Sequence, residues 1–85
     1  MTQQKPLSGK KVAMLVTDAF EQVEMTSPRQ ALTEAGAEVK IISNKSGQVQ
    51  AFKGKEKGDS FKVDFTFEQT NPDDFDALML PGGAY

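Results

Sequence analysis

The chain contains no cysteine and no histidine. The first absence excludes a disulfide framework, a thiol nucleophile and thiolate metal ligation within these 85 residues. The second removes the commonest general base and the commonest metal ligand. No Cys/His or Ser/His pair can be assembled from what is left, and neither a metal site nor a cofactor is expected. No apolar run approaches the ~20 residues needed to span a membrane. The opening "MTQQKPLSGKK" is polar and the apolar run behind it is too short for a secretory signal. A cytoplasmic protein with no membrane partner is the expectation. A basic excess is missing as well, since the formal charge is -2, so no nucleic-acid partner is expected. Lys53, Lys55 and Lys57 cluster, but Glu56 interrupts them and glycines flank them, as in a solvated loop.

What is present is an ordinary globular composition, 38% hydrophobic and 26% charged. Eighty-five residues make one domain at most, and a chain this short buries only about 60–65% of its unfolded surface. Residues 1–10 read as a loose polar lead-in, and the organised part runs from 11 to 85. "KVAMLV" (11–16) is a continuous apolar run of strand length, suited to a strand covered on both faces. Apolar residues then recur at Met25, Pro28, Leu32 and Ala35, in steps of three and four. Ser27-Pro28 would serve as N-cap and first helical residue, yet the periodicity runs through Pro28. It favours a helix starting near Glu21 to Val23, kinked at Pro28 and ended by Gly36. "AEVKIIS" (37–43), rich in β-branched residues, is a second strand. Strand, helix and strand at this spacing form a βαβ unit with a right-handed crossover.

The middle of the chain changes character. "QVQAF" is a short strand, "KGKEKGDS" a charged connector, and "FKVDF" alternates as a half-buried strand does. These two strands are expected to pair as a hairpin on the edge of the main sheet. In "NPDDFD", Asn71 caps a short helical turn opened by Pro72. "ALML" (77–80) is a last, buried-looking strand that runs into "PGG". Such a strand needs a neighbour on each side, and a doubly wound sheet would continue beyond it. The α/β domain therefore reads as incomplete.

Ligands of open α/β sheets sit outside the carboxyl ends of the strands. Two stretches fall there. One carries Asp18, Phe20, Glu21 and Glu24. The other carries Gly82 and Gly83. Acids near a helix start are favoured by the macrodipole, by about 0.3–1 kcal/mol each. Alternatively, one of them turns inward, is desolvated and holds a proton. Asp18 reads as a loop residue bonding local amides. The glycines either make a tight turn or let backbone N–H groups approach a developing oxyanion.

"VAMLVTDAFEQVEMTSPRQALTEAGAEVKIIS" followed by "VDFTFEQTNPDDFDALMLPGG" resembles the N-terminal half of a PfpI/ThiJ protein, in the class I glutamine amidotransferase-like superfamily. The resemblance runs from about Lys11 to Gly83. It rests on the F-E-x-V-E stretch, the proline after it and the D-A-L-x-L-P-G-G ending. It implies a flavodoxin-like three-layer sandwich with a mainly parallel sheet and a small β-hairpin, here incomplete. It implies that Glu24 is a carboxyl that supports a nucleophilic cysteine. It also implies that Gly83 gives a backbone N–H to an oxyanion hole, with Gly82 shaping the turn. The family's nucleophile, usually followed by histidine, would lie beyond Tyr85. The intact protein is then expected to be a cysteine-dependent hydrolase of peptidase, deglycase or glyoxalase type linked with stress protection. It would act on a small-molecule, peptide or protein substrate as a homo-oligomer, a dimer or larger. The alternative is a non-catalytic, redox-sensing stress protein of the same fold.

Overall fold

Strand β1 (Lys11–Leu15) lies inside the main sheet because Val12, Ala13 and Met14 are apolar and tolerate cover on both faces. The computed structural model describes residues 5–81. After β1 come β2 (Phe20–Glu21), α1 (Gln22–Glu34), β3 (Glu38–Ser43), β4 (Gln48–Lys53), β5 (Glu56–Lys62), β6 (Phe65–Thr66) and β7 (Ala77–Met79). Two 3-10 turns, Phe67–Gln69 and Pro72–Asp74, separate β6 from β7.

The main sheet has the order β6-β3-β1-β7, and every pair in it is parallel. The βαβ unit expected from the sequence is thus β1-α1-β3. Helix α1 starts at Gln22 and carries Pro28 inside, as the periodicity required. Proline has no N–H, so the carbonyl four residues back, that of Glu24, lacks its helical donor. Met25 is the fully buried residue of α1. It packs with Met14, Val16 and Ile41 of the sheet and with Val49 and Ala51 of the hairpin. The other face of the sheet is covered in part by the segment that holds Phe67 and Phe75. Leu78 borders a groove of about 170 Å³ there.

The helix ends in a Schellman motif. Ala37 N–H donates to Leu32 O and Gly36 N–H to Thr33 O, both at 3.0 Å. Gly36 takes φ 102°. A Cβ at Gly36 would sit 2.9 Å from Lys5 Cβ and 3.0 Å from Ser8 N. Residues 5–10, expected to be loose, are mostly exposed but meet this helix end, where Leu7 N–H donates to Ala35 O at 2.8 Å. Gly36→Ala is therefore expected to destabilise by more than ~1 kcal/mol, from positive φ and crowding together. Gly47→Ala, with φ 94° and no atom within 4 Å of a new Cβ, should cost less. Urea midpoints of the two variants give the comparison.

Three expectations are corrected. The hairpin is not on the edge of the main sheet: β4 and β5 form a second, three-stranded sheet with β2. Its second strand begins at Glu56, inside the charged stretch read as a connector. The turn falls at Gly54, φ 66°. The alternating "FKVDF" spans two sheets. Val63 N–H donates to Gly47 O, Asp64 N–H donates to Ile41 O, and Phe65 then joins β3 as β6. Strand β7 is an edge among the described residues and Leu78 is 56% exposed, in line with the incomplete sheet expected from the sequence. The Asn71 cap is as expected, with Asp73 N–H donating to its side chain.

Candidate functional site

Strand β7 runs parallel to β1, with Met14 opposite Met79. The chain leaving β7 toward Pro81 therefore emerges at the same end as the β1–α1 loop. That end, outside the carboxyl ends of parallel strands, is where α/β sheets place their ligands. Gly82 and Gly83, the glycines assigned to an oxyanion hole, lie outside the described residues.

Glu24 occupies the first turn of α1 and is exposed. Among the described residues its carboxylate has no hydrogen-bond or ion-pair partner. It stands beside the helix N-terminus, where unpaired N–H groups favour negative charge. Of the two glutamates, Glu21 is the less exposed, and it has a partner. Both its carboxylate oxygens accept from Gly54 N–H, at 3.2 and 3.3 Å, in the β4–β5 turn. Glu21, the N-cap residue of α1, is thus also a tether to the hairpin. Gln22 adds a second tether. Its Nε2 donates to Asp59 Oδ2 at 3.0 Å, and its Oε1 accepts from Asp59 N–H at 2.8 Å. Phe20 packs on Phe61, ring centroids 5.9 Å apart.

Asp18 does not bond local amides as expected. Its Oδ1 accepts from Gln50 N–H at 2.9 Å, across 32 residues, and its Oδ2 pairs with Lys45 Nζ at 2.6 Å. The hydrogen bond from Lys45, and then that from Gln50, hold its carboxyl below the ordinary carboxylate range. A depressed folded-state pKa means stability that is present above the unfolded value and is lost as pH falls through the folded one. Asp18→Asn is thus expected to flatten the loss of stability below about pH 4, read from denaturation midpoints against pH. The effect is small, because both partners are about half exposed (48% and 49%).

Sequence reading missed Gln50, Lys45 and Asp59 as supports of this loop. Their contacts join positions far apart in the chain, and no local pattern marks them. No group of acidic side chains among the described residues has the arrangement of a metal site. No helix there is long and apolar enough to cross a membrane.

The model of the DJ-1/PfpI family matches residues 10–85, and the chain belongs to that family. Deglycase PfpI of Pyrococcus furiosus is 48% identical over 73 residues, covering 86% of this chain and 42% of the relative. General stress protein 18 of Bacillus subtilis is 41% identical over 75 residues, covering 88% and 42%. Among solved structures, a two-domain protein of Anabaena variabilis with DJ-1/ThiJ/PfpI-like and ferritin-like domains superposes with a TM-score of 0.76 at 32% identity. It matches 87% of this chain and 21% of its own. The fold is the flavodoxin-like one of these proteins, and the chain spans less than half the length of the curated relatives it matches.

Proposed function

We propose that this chain is the N-terminal half of a cysteine-dependent hydrolase of the DJ-1/PfpI type, of deglycase, peptidase or glyoxalase specificity. Its thiol nucleophile is supplied from outside residues 1–85. The observation that carries the reading is Glu24. A carboxyl with no partner among the described residues stands in the first turn of α1, at the end of the sheet where β7 also points. A carboxylic acid there shares its proton with a neighbouring thiolate, stabilises it and returns the proton to a leaving group. The half that brings the thiol also covers Glu24, which is exposed among the described residues. Gly83 gives its N–H to the oxyanion, and Gly82 shapes the turn that presents it. The name of the Pyrococcus relative supports deglycation as the reaction. The working unit is a homo-oligomer, with a small-molecule or protein substrate.

The test is deglycation of a methylglyoxal-treated peptide by the intact protein, before and after iodoacetamide. Turnover abolished by one equivalent of alkylation supports the reading, and turnover insensitive to thiol blocking removes it. The name of the Bacillus relative favours a role in stress, and a second reading makes the cysteine a redox sensor in such a protein. Peroxide titration followed by intact mass separates the two. A sensor gains oxygen atoms in step with its response and turns over no substrate.

A further inference from the structure

The passage from β1 to α1 is short, and it contains a backbone conformation that needs support. Ala19 has φ 69°, a left-handed conformation that costs a residue with a Cβ about 1–2 kcal/mol. The turn is held by a reciprocal pair: Ala19 N–H donates to Gln50 O at 2.9 Å, and Gln50 N–H donates to Asp18 Oδ1 at 2.9 Å. Gln50 is itself a fixed post. Its Nε2 donates to Ala51 O at 2.8 Å and to Gly58 O at 3.0 Å, and its Oε1 accepts from Ser60 Oγ at 3.2 Å. A β-bulge between Gln50 and Phe52 sits beside it. A continuous line of bonds thus runs from the hairpin through Gln50 to Asp18 and Ala19, and the helix that carries Glu24 begins at Gln22.

We propose that Asp18 is a positioning residue for Glu24. By binding Gln50 N–H and Lys45, its carboxylate fixes the left-handed turn at Ala19 and with it the direction in which α1 leaves the sheet. The proposal rests on the role given to Glu24 above. Lys45 serves Asp18 as counterion. If Asp18 is removed, Ala19 relaxes toward negative φ, and the first turn of α1 shifts relative to the ends of β1 and β7. A displacement of about 1 Å in a reacting group is enough to cost ~10²-fold in rate.

The experiment is the pH profile of thiol alkylation by iodoacetamide in the intact protein. The variants are Asp18→Ala, Asp18→Asn, Glu24→Leu and the double variant Asp18→Ala/Glu24→Leu. Asp18→Ala is expected to slow alkylation near neutral pH by about tenfold or more, to move the profile to higher pH, and to do neither in the Glu24→Leu background. Asp18→Asn keeps an oxygen for Gln50 N–H and should recover most of the rate. If Asp18→Ala does not fold, Asp18→Asn and Lys45→Ala carry the test, each with a smaller shift that vanishes with Glu24→Leu. A folded Asp18→Ala with an unmoved profile overturns the proposal and leaves the role of Glu24 standing. Equal effects of Asp18→Ala in both backgrounds also overturn it, since Asp18 would then not act through Glu24. An unmoved profile in Glu24→Leu alone overturns the role of Glu24, and the positioning role with it.

Discussion

Replacing Glu24 by leucine is expected to lower turnover of the intact protein by ~10²-fold or more, the ordinary worth of a placed acid–base group. Leucine keeps much of the volume and removes the carboxyl, so the proton shared with the thiolate is lost and the thiol pKa rises. Alkylation at neutral pH then slows as well, because the thiolate is the reactive form. The fold should survive. Glu24 is exposed, makes no bond among the described residues and contributes only its interaction with the helix N-terminus, about 0.3–1 kcal/mol. Glu24→Gln separates hydrogen bonding from proton transfer. Glutamine still donates to a thiolate, so the thiol pKa should rise less than in the leucine variant. It cannot carry the proton, so turnover should fall nearly as far. Full activity in Glu24→Leu would remove Glu24 from the mechanism.

The largest effect on stability is expected at Met25. It is the fully buried residue of α1 and joins the helix to both sheets. Met25→Ala leaves a cavity among Met14, Ile41 and Val49, at a cost of about 2–5 kcal/mol. Each kcal/mol moves Tm by roughly 4–8 °C in a domain of 60–100 residues and by about half that in a larger one. Val23→Ala, two positions away and 60% exposed before substitution, should leave Tm within a degree or two. The contrast checks that α1 is docked through Met25 and that its first turn is held in place from below.

The βαβ unit was legible in the sequence because its signals are local. A five-residue apolar run, apolar steps of three and four through Pro28, and Gly36 where positive φ is required each report a short-range constraint. The Asn71 cap was legible for the same reason. The hairpin was misread because β5 is mostly exposed and is held by backbone pairing with β4. A lysine- and glycine-rich stretch carries little side-chain signal for that. The strand "FKVDF" was misread because alternation fixes which side is buried but not which sheet receives it. At the site, the type of Glu24 and its place on α1 were legible. The supports were not, because Asp18 meets Gln50 across 32 residues and Gln22 meets Asp59 across 37. Such contacts exist only once the hairpin has folded back over the helix start.

The position of β1 between β3 and β7 also has a consequence for the order in which the chain folds. β3 follows β1 after a single helix. β7 arrives much later, and Lys11 N–H meets Asp76 across 65 residues. Closing so long a loop costs more entropy than closing the short one, and non-local pairing of this kind is slow. During synthesis, β1, α1 and β3 are complete while one side of β1 is still open. An apolar strand edge then waits for its partner to leave the ribosome, and in that interval it is open to aggregation.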